Sequence, residues 1–399
     1  MSEVVIVEAI RTAIGKLGGA IKNETADALG SAIVKNLVER TGINPTIIDE
    51  VILGQAKQSA DCSNVARLVS LEAELPLEIP AYTVHRQCGS GLQAINNAAQ
   101  QIALNLSDVI IAGGVESMST APYYLRNARY GYQVGDAQLL DPNTASQPGS
   151  QPASYGIKTM GQTAENLADK YNISRERQDE YAQLSQERTK NAMENGYFDE
   201  QIIPYTIKTR RDTIIFDKDE HPRLTSLDKL AQLKPVFKEN GSVTAANSSG
   251  RNDGAAALLI MSKEKAEELG LQPKVKILAQ ASAGVDPREM GIGPAPATRK
   301  ALQQAGLTIE DIDIVELNEA FAAQVLAVMD ELNLTLEQTN PNGGAIALGH
   351  PIGATGAILM TKLVHELIRS NKRYGLVTLC IAGGLGITTI VENCQFISN

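Results

Sequence analysis

The sequence predicts an α/β fold built from two related halves, and two observations carry that expectation. The first is repetition. The run Gly-Ile-Asn-Pro-Thr-Ile-Ile-Asp-Glu-Val-Ile-Leu-Gly-Gln-Ala, from Gly42 to Ala56, returns from Gly306 to Ala320 as Gly-Leu-Thr-Ile-Glu-Asp-Ile-Asp-Ile-Val-Glu-Leu-Asn-Glu-Ala. Val-Ile-Ile-Ala-Gly-Gly-Val from Val109 returns, in the same order along the chain, as Leu-Cys-Ile-Ala-Gly-Gly-Leu from Leu379. The second is alternation. Short β-branched runs at 4–7, 51–53, 109–112, 314–317 and 376–381 are separated by longer helical patterns. That pattern predicts a mostly parallel sheet covered by helices.

Taken in order, the chain opens on a strand at Val4, and the strands at 51–53, 109–112 and 376–381 leave through glycines. Gly54, Gly113, Gly114, Gly383 and Gly384 permit tight exits and close backbone approach. Residues 123–247 have no counterpart in the second half and are richer in Tyr, Gln, Asn and charge, which reads as an insertion at a strand end. Inside it, Ser174 is placed to cap a helix of about twenty residues that stops at Gly196. The stretch 263–273 and the prolines Pro294 and Pro296 mark the passage into the second half. The division that follows is an N-terminal half at 1–122 and 248–271, an inserted segment at 123–247, and a C-terminal half at 272–399.

Composition narrows the function classes. With 399 residues, 43% hydrophobic and 21% charged, the chain has material for two or three cores. A net charge of -10 argues against nucleic acid or an anionic membrane as partner. The four cysteines (Cys62, Cys88, Cys380, Cys394) fit neither a disulfide framework nor a metal site, so reduced thiols in a cytoplasmic setting are expected. Neither a signal peptide, a membrane anchor nor a peroxisomal address is expected from the termini. One local exception stands out. Residues 205–238 hold eight Lys/Arg against five Asp/Glu, a net +3 stretch suited to a phosphorylated ligand or to a solvated face.

Chemistry concentrates where the two halves differ. Cys88 is followed by Gly-Ser-Gly and a helical pattern, which places its thiol at a helix N-terminus. The dipole and free amides there favour a thiolate and can receive an oxyanion. A structural cysteine is the alternative, and the flanking glycines weigh against it. His350 sits in Gly-His-Pro-Ile-Gly at the start of another helical run, with Pro351 suited to the first helical position. It is placed to take the proton of Cys88. Cys380 ends a buried strand before Gly383 and Gly384, suggesting one thiol as nucleophile and the other as acid/base. His85, His221 and His365, like Cys62 and Cys394, lack such a setting and read as structural or surface residues.

These residues carry a resemblance to the thiolase family of acetyl-CoA acetyltransferases and 3-ketoacyl-CoA thiolases. It runs from Val4 to Glu392 through six motifs: Arg-Thr-Ala-Ile-Gly-Lys-Leu-Gly-Gly from Arg11, Cys-Gly-Ser-Gly-Leu-Gln-Ala from Cys88, Gly-Gly-Val-Glu-Ser-Met-Ser from Gly113, Asn-Glu-Ala-Phe-Ala from Asn318, the glycine run around His350, and Cys-Ile-Ala-Gly-Gly-Leu-Gly from Cys380. The resemblance implies a thiolase-like α/β fold, two repeated mixed-sheet halves in a layered core plus an inserted loop domain that binds coenzyme A. It implies reversible Claisen condensation of two acetyl-CoA to acetoacetyl-CoA and CoA through an acyl-cysteine. Cys88 would be the nucleophile, His350 its activator, Cys380 the acid/base for the α-proton, and Asn318 the holder of an oxyanion-hole water. The backbone amides of Cys88 and Ala382 would form a second oxyanion hole. Met160, Phe237, Ser249, Ala320 and Phe321 match positions near the pantetheine, and Arg223 meets the nucleotide end. The family's substrates are coenzyme A thioesters, with no cofactor or metal, and its members are homodimers or homotetramers.

Four positions depart from the family's usual pattern: His85 for an asparagine, Thr159 for a histidine, Lys229 for a small polar residue and Ala382 for a glycine. A degradative 3-ketoacyl-CoA thiolase acting on longer chains is the neighbouring alternative. A cysteine peptidase would leave Cys380 without a role, and its chain order of Cys, His and Asn differs from that found here. A ketoacyl synthase would replace Cys380 with histidine. A silent acyl-CoA-binding relative would have lost Cys88, His350 or Cys380.

Overall fold

The computed structural model describes residues 2–208 and 212–397, so Arg210 and Arg211 of the basic stretch lie outside the described residues. The first half comprises β1 (Val4–Thr12), α1 (Ala26–Thr41), β2 (Glu50–Gly54), α2 (Val65–Glu72), β3 (Ala81–Val84), α3 (Ser90–Ala103) and β4 (Val109–Ser117). The inserted segment contributes α4 (Met160–Lys170) and α5 (Arg175–Glu194) before β5 (Asn252–Ser262) returns to the sheet. The second half comprises β6 (Val275–Gly284), α6 (Pro294–Ala305), β7 (Ile314–Leu317), α7 (Ala322–Leu332), α8 (Thr355–Arg369), β8 (Tyr374–Ile381) and β9 (Leu385–Asn393).

The repeat in the sequence is a repeat in topology. The order β7-β8-β9-β6-β1-β5-β4-β2-β3 runs through one 11-stranded sheet, which two strands of two residues complete. In the first half β2 pairs parallel with β4, β4 antiparallel with β5, and β5 antiparallel with β1. In the second, β7 pairs parallel with β8, β8 antiparallel with β9, and β9 antiparallel with β6. The expected mostly parallel sheet is therefore corrected to a mixed one. Strands β8 and β9 are joined by a tight hairpin, which forces antiparallel pairing. Gly383 and Gly384 make that turn at φ of 93° and 84°, and a Cβ on Gly384 would lie 2.3 Å from the Val285 carbonyl oxygen.

The two halves meet along Val5–Lys276 and Ile6–Val275, and more extensively through two central helices. Leu92 and Ile95 of α3 share one core with Ile358 and Leu363 of α8 and with sheet residues from both halves. Close approach is essential there: a Cβ on Gly356 would sit 2.4 Å from the Leu92 backbone nitrogen. Outside, Leu29, Ile33 and Val69 of α1 and α2 cover the first half, while Ala301 and Val325 of α6 and α7 cover the second. The result is a helix–sheet–helix–sheet–helix stack. The α3 start that carries Cys88 and the loop that carries His350 meet at its centre.

Local signals held in the insertion. Ser174 caps α5 by accepting from the Arg177 amide, the helix is 20 residues long, and Gly196 follows at φ 69°. Pro294 is a correction. It opens α6 at the first helical position, where its missing N–H costs nothing, so the passage between halves is 263–274 alone. The Arg11 motif is a clamp. Fully buried Arg11 reaches Asp219 of the inserted segment through two bonds of 2.8 and 3.0 Å and Gln201 at 2.8 Å. Removing one partner of such a buried pair costs about 3–5 kcal/mol. Among the described residues, no helix is long and apolar enough to cross a membrane.

Candidate active site

A cavity of about 190 Å³ opens between the two halves, with Cys88, His350 and Ala382 among its lining. Cys88 lies two residues before α3, in a turn fixed by Gln87 at φ 46°. The Ser90 hydroxyl ties the turn, accepting from the Arg86 amide at 2.8 Å and donating to the Gln87 carbonyl at 2.6 Å. The amide of Ala382, the charge of Lys57 and the amide of Cys88 itself all favour a thiolate. Burial outweighs them and pushes the thiol up to about 11. The thiol keeps some exposure to the cavity, yet its surroundings are dry enough for desolvation to dominate. Burial thus opposes the thiolate that the helix start favours, and the resting group is the thiol.

His350 occupies an extended strip paired with Arg251, and its amide donates to Asn252 Oδ1 at 3.0 Å. The helix behind it begins at Thr355, not at Pro351 as expected. Glu116 Oε2 accepts from the Gly353 amide at 2.8 Å and holds 351–354 as a turn, in which the Pro351 carbonyl accepts from the amides of Ala354 and Thr355. That turn sets the imidazole. Nδ1 lies 2.6 Å from Thr355 Oγ, and the Thr355 hydroxyl donates its single proton to the Pro351 carbonyl at 2.9 Å. Thr355 must then accept from Nδ1–H, which leaves Nε2 as a lone pair. Among the described residues Nε2 has no partner, and burial pulls the ring down to about 4, so it is neutral near pH 7.

Cys380 is the penultimate residue of β8 and is fully buried. It packs in one cluster with Met290, Ala320 and Phe321, which line the cavity. Burial, and then the neighbouring Cys88, hold its thiol far above the ordinary range. Asn318 follows β7 and is fully buried, its amide donating to the Thr378 carbonyl at 3.0 Å. Neither side-chain polar atom of Asn318 has a partner among the described residues. The next residue is pinned: Glu319 accepts from Tyr181, Ser185, Asn340 and the Ile346 amide, joining the insertion to the second half.

The structure gathers Met160, Phe237, Ser249, Ala320 and Phe321 around the Cys88 cavity. The rings of Phe237 and Phe321 meet edge to face at 6.0 Å. Arg223 is not among them. It lines a second cavity of about 480 Å³ with Lys229, Leu224 and Leu233. Ala382 has no left-handed backbone, because Gly383 and Gly384 take the positive φ angles, so its Cβ is tolerated. Thr159 caps α4 by accepting from the Gln162 amide, and His85 accepts from the Gln87 amide at 3.4 Å. His221 and His365 do not line the Cys88 cavity, and His365 bonds the Ala9 carbonyl. Among the described residues there is no group of three or more His, Cys, Asp or Glu placed to hold a metal.

Three residues escape the sequence reading. Glu116 accepts from the amides of Ala56, Lys57 and Gly353, and burial pushes it up to about 7. It binds a loop of the first half to the histidine loop of the second. It lies inside the Gly113 motif, which is the only signal that marked it. Thr355 lies in the glycine run after His350. Lys57 lines the cavity with no sequence signal at all.

Residues 4–264 match the family model described as thiolase, N-terminal domain, and 271–393 match thiolase, C-terminal domain. The chain is 47% identical to an acetyl-CoA acetyltransferase of Syntrophomonas wolfei, over 98% of this chain and 99% of that protein. It superposes on the crystal structure of the Bacillus anthracis acetyl-CoA acetyltransferase with a TM-score of 0.96 at 48% identity, covering 98% and 99% of the two chains. Human mitochondrial 3-ketoacyl-CoA thiolase gives 0.94 at 43% identity, covering 99% of each chain.

Proposed function

The chain belongs to the thiolase family, and we propose that it condenses two acetyl-CoA reversibly to acetoacetyl-CoA and CoA through an acetyl group carried on Cys88. The observation that carries this reading is the pairing of Cys88 with a histidine whose Nε2 is an unpartnered lone pair in the same cavity. A resting thiol and a neutral imidazole make general-base attack the natural first step: Nε2 takes the proton as Sγ bonds the thioester carbon. The amides of Cys88 and Ala382, which face Sγ, receive the oxyanion that develops there. Coenzyme A then leaves as its thiol with the proton of Cys380, which becomes a thiolate, and the acetyl group remains activated as a thioester on Cys88.

In the second half-reaction the Cys380 thiolate removes the α-proton of a second acetyl-CoA, and the carbanion attacks the carbonyl carbon of acetylated Cys88, whose Sγ leaves and recovers its proton from His350. The enolate oxygen accepts from the protonated Nε2 and from a water held by Asn318, whose free side-chain atoms support that role. Met160, Phe237, Ser249, Ala320 and Phe321 pack the pantetheine, and Arg223 with Lys229 takes the phosphorylated end in the second cavity. Coenzyme A thioesters are the substrates, no cofactor is needed, and the setting is cytoplasmic. A homodimer or homotetramer is supported by the edge strand β3 and by exposed apolar side chains in the insertion, such as Val134 at 97% exposure.

Incubation with acetyl-CoA should add one acetyl group, seen by intact mass and mapped to Cys88. Acetylation found at Cys380 alone, or persisting in Cys88→Ala, would overturn the assignment.

A further inference from the structure

Lys362 is a buried cation that the acetyl chemistry leaves without a role. It lies on α8, the helix that begins at Thr355, and its side chain is 1% exposed. Its Nζ donates to Glu316 Oε2 and to the Gly343 carbonyl, each at 2.7 Å. Glu316 belongs to β7 and is fully buried, and its Oε1 has no partner among the described residues. Taking two charges out of water commonly costs as much as their attraction returns. Such a pair is better read as fixing a geometry than as adding stability.

What the pair fixes follows from where its ends lie. Glu316 and Leu317 lead directly into Asn318, and Gly343 stands in the loop that leads to His350. The crossing is laced on both sides. Asn340 accepts from the Leu317 amide and donates to the Leu317 carbonyl, both at 2.9 Å. Glu366, on the next turn of α8, accepts from Asn342 Nδ2 at 2.7 Å. Lys362 joins all three parts, because it stands on the helix and bonds both the strand and the loop.

His350 and Asn318 depend on this lacing unequally. His350 has anchors of its own: its amide on Asn252, its Nδ1 on Thr355, and the turn behind it on Glu116. The side chain of Asn318 has no anchor among the described residues, so its aim is inherited from the backbone at the end of β7. That backbone is pinned beyond Asn318 by the bonds of Glu319 and before it by Glu316 on Lys362. A shift of about 1 Å in a group that positions reacting atoms can cost about a hundredfold in rate.

We propose that Lys362 is a positioning residue for the carbon–carbon bond-forming half of the reaction, holding Glu316 against the His350 loop so that Asn318 and its water meet the enolate oxygen. This inference rests on the thiolase reading of Cys88. Lys362 touches no substrate and moves no proton. Acylation of Cys88 uses His350 and the amides of Cys88 and Ala382, not Asn318, and so does not depend on it.

The test reads the two half-reactions separately in one protein. Lys362→Met should release the burst of CoA from acetyl-CoA near the wild-type rate, while exchange of the α-hydrogens of acetyl-CoA with deuterated water falls about ten- to a hundredfold. Burial already pushes the Glu316 carboxyl up to about 7 against the pull of Lys362, so in the variant it takes up a proton rather than standing as a lone buried charge. If Lys362→Met fails to fold, Lys362→Met/Glu316→Met puts an apolar pair in place of the ions, a change that buried pairs commonly tolerate, and carries the same expectation. A second readout separates positioning from general loosening. In an Asn318→Ala background, Lys362→Met should cause no further loss of exchange, because it acts through Asn318. Losses that multiply, equal falls in acylation and exchange, or exchange at the wild-type rate each overturn the proposal. A wild-type protein that never acetylates Cys88 refutes the thiolase reading and this inference with it. Wild-type acetylation together with normal exchange in Lys362→Met refutes this inference alone.

Discussion

Replacing Thr355 with valine keeps the shape of the side chain and removes the one oxygen that His350 Nδ1 reaches, at 2.6 Å. The Pro351 carbonyl loses a donor as well, but it still accepts from two backbone amides, so the damage centres on the imidazole. A buried N–H without an acceptor costs about 1–3 kcal/mol. The ring escapes that cost by moving its proton to Nε2, which faces the cavity. The escape removes the lone pair that Cys88 needs. If the whole penalty falls on the base-competent tautomer, acylation slows by about 5- to 150-fold at 1.36 kcal/mol per factor of ten. The assay is the burst of CoA released on mixing enzyme with acetyl-CoA, followed by stopped flow. Thr355→Ser retains the oxygen and should stay near the wild-type rate, which separates the hydrogen bond from general packing. Thr355→Val acylating at the wild-type rate, or Thr355→Ser failing as badly as valine, would refute the tautomer argument.

Other consequences follow from the same geometry. Cys380→Ser should still become acetylated on Cys88 yet scarcely exchange the α-hydrogens of acetyl-CoA with deuterated water, since a serine hydroxyl is a far weaker base; exchange at the wild-type rate would make His350 the base. Arg223→Ala should raise KM for coenzyme A with little change in kcat, and an unchanged KM would make the basic stretch a solvated face. Because burial holds His350 down at about 4, its base form persists below its ordinary value of 6.5, and the acid limb of acylation should fall near 4. For stability the sign runs the other way: between 6.5 and about 4 the unfolded chain binds a proton that folded His350 refuses, so the urea midpoint should drop as pH falls through that window. An acid limb of acylation at 6.5 would mean the imidazole is open to solvent.

The architecture was legible because repetition and strand glycines are local, one-dimensional signals. Gly42 to Ala56 and Gly306 to Ala320 recur as equivalent segments ending in β2 and β7 and the turns beyond them, each parallel to its partner strand. Strand direction was not legible at β5 and β9, because periodicity records which face is buried and not which neighbour pairs. Cys88, His350 and Cys380 stood out because each breaks an otherwise bland glycine-rich run. Their protonation states did not. A helix N-terminus favours a thiolate by an amount that falls off within one turn, whereas desolvation depends on everything packed around the sulfur. Only the helix start is visible in the sequence, and burial reverses its effect.

The same asymmetry explains which site residues were missed. Glu116, Thr355 and Lys57 act through contacts separated by many residues or by a tautomer, and nothing in their neighbours' identity announces that. Glu116 is informative here. Its carboxylate spans Ala56, Lys57 and Gly353, so one side chain sets both the loop that carries the cavity's buried cation and the turn that fixes the His350 tautomer. The base and the cavity's buried cation are therefore positioned from a single buried anchor on β4. Any change that loosens Glu116 should disturb both the His350 base and the Lys57 charge that favours the Cys88 thiolate, whereas a change at Thr355 should disturb the first alone.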